Sequence, residues 1–91
     1  MQSKTHGKNT LVLYRRRMGY SQKQVAQLLG QPDTSMVSHY ERGKALPPLA
    51  VALSLEIVYR VPVAFLFPAM YDEIRRRIRR DEESISAASN S

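Results

Sequence analysis

Apolar positions recur three and four residues apart along most of the chain, and no stretch shows the period of two that a strand requires. Leu11, Tyr14, Arg15 and Met18 share one face at the i, i+3, i+4, i+7 spacing. They predict a first helix to about Met18, capped by either Asn9 or Thr10 and left through Gly19. Ser21 opens a second helix, with Gln24 completing the S-x-x-Q capping box; Val25, Leu28 and Leu29 point inward and Gly30 ends it. "QPD" is turn chemistry, in which Pro32 fixes φ and Asp33 can cap a third helix, Thr34 to Arg42, followed by Gly43. Val37 and Tyr40 mark that helix's buried side.

Pro48 suits the first position of a fourth helix, whose inner face is Leu49, Ala52, Leu53 and Ile57 and whose end falls near Tyr59. Pro62 begins a short fifth helix, Val63 to Phe67, which Pro68 stops. Beyond it Tyr71, Ile74 and Ile78 form a narrow stripe, and Asp72–Arg76 and Glu73–Arg77 are i, i+4 pairs in the favoured orientation. This predicts a sixth, charge-laced amphipathic helix to about Glu83. The resulting organisation is a flexible segment 1–8, a helical domain 9–68, a charged helix 69–83 and a disordered Ser/Ala tail 84–91.

Composition narrows what such a bundle does. The chain has 91 residues, enough for one small domain, and no cysteine, which removes disulfide and thiolate–metal frameworks. Net charge is +6, from 14 Lys and Arg against 8 Asp and Glu, which favours a polyanionic partner: nucleic acid or an anionic membrane surface. The most apolar stretch, Ala45 to Leu55, is broken by Pro47 and Pro48 and falls short of the ~20 residues a bilayer needs. "MQSKTHGKNT" holds no apolar run, so no signal peptide is expected and a cytoplasmic protein is the default.

The order of helix, Gly, Tyr-Ser-Gln, helix, Gly, turn, a helix ending "YERGK", then "PP" and two more helices resembles the lambda-repressor-like (Xre/Cro type) helix-turn-helix domain over Leu11 to Phe67. From Gly30 to Glu41 the chain carries one residue more than the commonest family spacing, within "QPD". The resemblance implies an all-α, compact five-helix fold with the C-terminal helix added. It also implies sequence-specific binding of double-stranded DNA as a small transcriptional regulator or repressor. In this family the second helix crosses the backbone and the third enters the major groove, about 12 Å wide.

Carried over residue by residue, base contacts fall on Thr34, Ser35, Met36, Ser38 and His39 and a phosphate contact on Gln22; Lys23, Arg42 and Lys44 flank that reading surface and are the expected charged phosphate contacts. Small side chains with donors and acceptors at the helix head allow close approach, and arginines there would bind any sequence. A structural ion pair between Arg15 and Glu41, the acid of "ERG", is implied too, since a half-buried guanidinium requires a partner. Glu56, a carboxylate inside an apolar helix, would pair with either Arg60 or Arg15.

Arg16 and Arg17 point away from the face of Arg15. The run Arg75 to Arg80, mixed with acids, reads as a solvated, self-paired face. Tyr71, Ile74 and Ile78 cover either the core or a second subunit, and a homodimer is expected because repressors of this type read two half-sites. No cofactor is called for. The alternative function is an antitoxin or protein-contact adaptor built on the same domain, and a partner protein could supply regulation. Catalysis is not expected: His6 and His39 lie on different elements, and Ser38 points about 100° from His39 on a helix.

Overall fold

The computed structural model describes residues 9–89, and the segment 1–8 lies outside them. Six helices follow one another: α1 Leu11–Met18, α2 Gln22–Leu28, α3 Ser35–Glu41, α4 Leu49–Tyr59, α5 Val63–Leu66 and α6 Pro68–Ser89.

Local side-chain chemistry sets most of the ends. The Leu11 N–H donates to Asn9 Oδ1 at 3.0 Å, so Asn9 caps α1 although Thr10 holds the N-cap position. Thr10 serves a tertiary purpose: its hydroxyl donates to the Phe65 carbonyl at 2.6 Å and its N–H to the Leu66 carbonyl at 3.1 Å. Asn9 Nδ2 donates to the Tyr40 carbonyl at 3.0 Å, so the start of α1 is tied to α3 and α5 together. Both arms of the capping box are made, Gln24 N–H to Ser21 Oγ at 3.1 Å and Ser21 N–H to Gln24 Oε1 at 2.8 Å.

Gly30, at φ +72°, leaves α2 through paired bonds from Gly30 N–H to the Gln27 carbonyl (3.1 Å) and from Gln31 N–H to the Ala26 carbonyl (2.9 Å). That reversal, which satisfies two orphan carbonyls, needs a left-handed residue. α1 and α3 close with the same bond pair, after Gly19 and Gly43.

Leu11, Val25, Ala26, Val37, Tyr40, Leu55, Tyr59, Leu66 and Phe67 form one buried cluster to which the first five helices contribute. Three expectations about burial and partners change. In α2 the inner positions are Val25 and Ala26, with Leu29 partly covered, while Leu28 is 54% exposed. In α4 the inner face is Ala52, Leu55 and Tyr59, whereas Leu49, Leu53 and Ile57 are 75%, 48% and 74% exposed. Glu56 meets neither arginine: its Oε1 accepts the Val63 N–H at 3.0 Å, and it forms no ion pair among the described residues. The reason is Pro62, which occupies the N-cap of α5 and offers no side-chain acceptor, so the orphan N–H draws the carboxylate of α4.

The helix ends differ in detail. Pro48 is the N-cap of α4 rather than its first residue, and α4 closes on Arg60 in the left-handed region at φ 62°. α5 ends at Leu66, with Phe67 as its C-cap. Pro68 starts α6, as the missing N–H permits at a first position, so the proline that stops one helix opens the next. α6 runs past Glu83 to Ser89, because "SISAAS" contains no glycine or proline and a helix already nucleated extends readily through alanine and serine.

Candidate nucleic-acid interface

The phase of α3 follows from its two core residues. Val37 and Tyr40 are each 3% exposed, and at 100° per residue Ser35, Ser38, His39 and Arg42 turn away from them, with Thr34 and Met36 on opposite flanks. Ser35, Met36 and Arg42 are exposed; Thr34, Ser38 and His39 are half-buried. The helix is anchored from inside and carries a row of short or flat polar groups on the side turned away from the core.

Its head is built by the lengthened turn. Asp33 Oδ1 accepts the Ser35 N–H at 2.9 Å, and Thr34, at the N-cap, makes no side-chain capping bond. The Ser35 backbone N–H, then the Ser35 side chain, holds the Asp33 carboxyl below its ordinary range. Inside the same turn Gln31 buries its side-chain oxygen with no hydrogen-bond partner. The sequence gives no sign of this, since a glutamine beside Pro32 reads as plain loop.

Arg15 and Glu41 lock α1 to the end of α3. Arg15 Nε meets Glu41 Oε2 at 2.6 Å and a terminal nitrogen meets Oε1 at 3.2 Å, with side chains 14% and 4% exposed. The other terminal nitrogen of Arg15 donates to the Tyr20 carbonyl at 3.1 Å, which fixes the α1–α2 connection. Hydrogen bonding to Glu41 raises the Arg15 pKa further, against the opposing effect of burial. Burial pushes the Tyr59 phenol up as well; Glu41 adds to that rise and Arg15 opposes it, so the Tyr59 side chain lies within the field of the pair.

Gln22 joins this network: its Nε2 donates to Glu41 Oε1 at 2.9 Å. The Gln22 side chain is therefore engaged inward, and its backbone N–H, at the first position of α2, is a donor with no partner within its own helix. The signal missed in the sequence is the carboxylate itself, because a nearly buried Glu41 has lone pairs beyond those one guanidinium fills.

Lys23, Arg42 and Lys44 are exposed. Arg17 stacks its guanidinium 5.5 Å from the centre of the Tyr14 ring. Of the three acids in residues 1–67, Glu41 and Glu56 carry the bonds described above, and Asp33 is exposed beside the α3 head. α6 holds five arginines and five acids, so the whole excess of +6 belongs to residues 1–67. Among the described residues no helix is long and apolar enough to cross a membrane, and no cluster of three potential metal ligands occurs.

A comparison with curated proteins found no match. The helix-turn-helix family model matches residues 11–66, the stretch that contains α1 to α5 and both ends of the Arg15–Glu41 pair. The chain therefore carries a DNA-binding helix-turn-helix domain and belongs to the lambda-repressor-like (Xre/Cro type) helix-turn-helix family.

Proposed function

We propose that residues 9–68 bind double-stranded DNA sequence-specifically and that the protein is a small transcriptional regulator acting by occupying an operator. The observation that carries this reading is the outward row Ser35, Ser38, His39 and Arg42 on a helix held from behind by Val37, Tyr40 and the Arg15–Glu41 pair. Hydroxyl and imidazole groups at that place can donate to and accept from base edges, and Thr34 and Met36 on the flanks reach neighbouring bases or a thymine methyl. Lys23, Arg42 and Lys44, with the Gln22 backbone N–H, hold the phosphates. A homodimer would set two such helices on half-sites about 34 Å apart.

Protein contact, as an antitoxin or adaptor, is the second reading. It draws on the exposed row Leu49, Leu53 and Ile57 along α4, an apolar strip on the outside of the domain.

Selection of bound duplexes from a random pool tests both. A regulator enriches one short motif, repeated with twofold symmetry, and loses affinity steeply with added salt. Equal retention of all duplexes overturns sequence reading and favours protein contact.

A further inference from the structure

We infer that α6 is a self-association element: it pairs with the α6 of a second copy in antiparallel orientation, with Ile74 of each chain against Ile85 of the other. The inference deepens the homodimer named in the proposed function and rests on it.

Beyond its first turn, where Met70 packs partly buried against the core, α6 is a rod with little cover of its own. No residue from Pro68 to Ala88 is buried, and 22 helical residues reach about 33 Å. The radius of gyration is 16.3 Å, against about 12 Å for a compact chain of this length. Yet the rod is not polar all round. Tyr71, Ile74, Ile78 and Ile85 are 53%, 45%, 40% and 67% exposed and fall at alternate spacings of three and four, with Asp81 filling the one missing step. That is a heptad seam in which a and d positions alternate. Ile85, far from the domain, has no role in folding the chain it belongs to.

The seam runs into an apolar groove of about 200 Å³ between α5, the first turns of α6 and the loop before α4, lined by Leu46, Ala52, Phe67 and Met70 together with Tyr71 and Ile74. Antiparallel pairing with Ile74 on Ile85 lays the last turns of the partner helix along the mouth of this groove. One arrangement thus covers the bare end of the rod and the open side of the domain, twice over by symmetry.

Charge decides the orientation. In a parallel pair Asp81 faces Asp81 within the seam, two carboxylates in one apolar layer. In the antiparallel pair Asp81 lies across from Ile78 and beside Arg77 of the second copy. Flanking the seam, Arg75, which pairs with Asp72 in its own helix, then faces Glu82 of the second copy, which pairs with its own Arg79, so each cross-helix contact extends an ion pair already made within α6. α6 carries acids at 72–73, arginines at 75–77 and 79–80, and acids at 81–83, and the reversal brings the arginines at 75–77 of one copy opposite the acids at 82–83 of the other.

The chain lacks cysteine, so introduced thiols report contacts directly. Full-length Ile74→Cys and Ile85→Cys chains are mixed and joined with a short bis-maleimide, and sedimentation measures the dimer constant of the wild type. The expected result is a covalent heterodimer from the mixture and little product from either chain alone. Self-crosslinking of each variant alone, with no gain on mixing, means a parallel pair and overturns the inference; so does a wild type that stays monomeric.

Arg75→Glu should weaken the dimer about tenfold, and Arg75→Glu with Glu82→Arg should restore it. Failure of the double variant to recover overturns the register, with helicity and melting followed to exclude unfolding. DNA binding is measured separately on a single half-site. Half-site binding by a monomer removes the seam and leaves the proposed function standing, and a dimer with no preference among duplexes does the reverse.

Discussion

Glu41 accepts from two of the three nitrogens of one guanidinium and from one amide while its side chain is 4% exposed, so its removal is felt in three places. Glu41→Ala strands the Arg15 guanidinium and frees the Gln22 amide; the expected cost is about 3–5 kcal/mol in urea or thermal unfolding. Gln31 offers the opposite case. Its buried oxygen has no partner, so Gln31→Met, which keeps the length and removes the polar atom, should stabilise by about 1 kcal/mol in the same measurement. His39 differs from both, since it faces outward from α3, the helix proposed to read the bases. His39→Ala should leave melting nearly unchanged and weaken specific DNA binding by about 1–3 kcal/mol, read as a ratio of affinities for selected and random duplexes.

Helix ends were legible in the sequence because their causes are local: Ser21 with Gln24, Asp33 ahead of Ser35, and a glycine after each of the first three helices. Faces were legible where apolar and polar residues contrast, as for Val37 and Tyr40 in α3. They were not in α4, "LAVALSLEIVY", which is apolar nearly all round. Nothing along that segment distinguishes Leu53, which is outside, from Leu55, which is inside; only the packing of α1 and α5 chooses. The partner of Glu56 is hidden in the sequence for a related reason, because it is a backbone N–H that the turn at Pro62 brings up.

The head of α3 has its own pH dependence. The Asp33 carboxylate sits below its ordinary range, so its contribution is complete above the unfolded value and is lost as pH falls through the depressed one. The gap in melting temperature between wild type and Asp33→Ala should therefore close on acidification; a constant gap would detach the carboxylate's charge from the helix start.

At the scale of the whole molecule, charge and shape are divided between two parts. Residues 1–67 hold the entire excess of +6, and α6 is balanced. Affinity for DNA should therefore fall steeply between low and moderate salt through the phosphate contacts, by about one counterion for each. Lys44→Ala should flatten that slope by about one and leave base preference unchanged, as measured by anisotropy titrations over a salt series. The division itself was only half legible: the charge counts are open to anyone reading the chain, but the length of α6 is not, since its polar last third carries no sign of order beyond good helix formers.

The stitch at Asn9, which binds the Tyr40 carbonyl, has a practical outcome for anyone labelling the molecule. A reporter attached at Asn9 itself would stand beside the final turn of α3, the helix proposed to enter the groove, and would cut the bond that ties α1 to it.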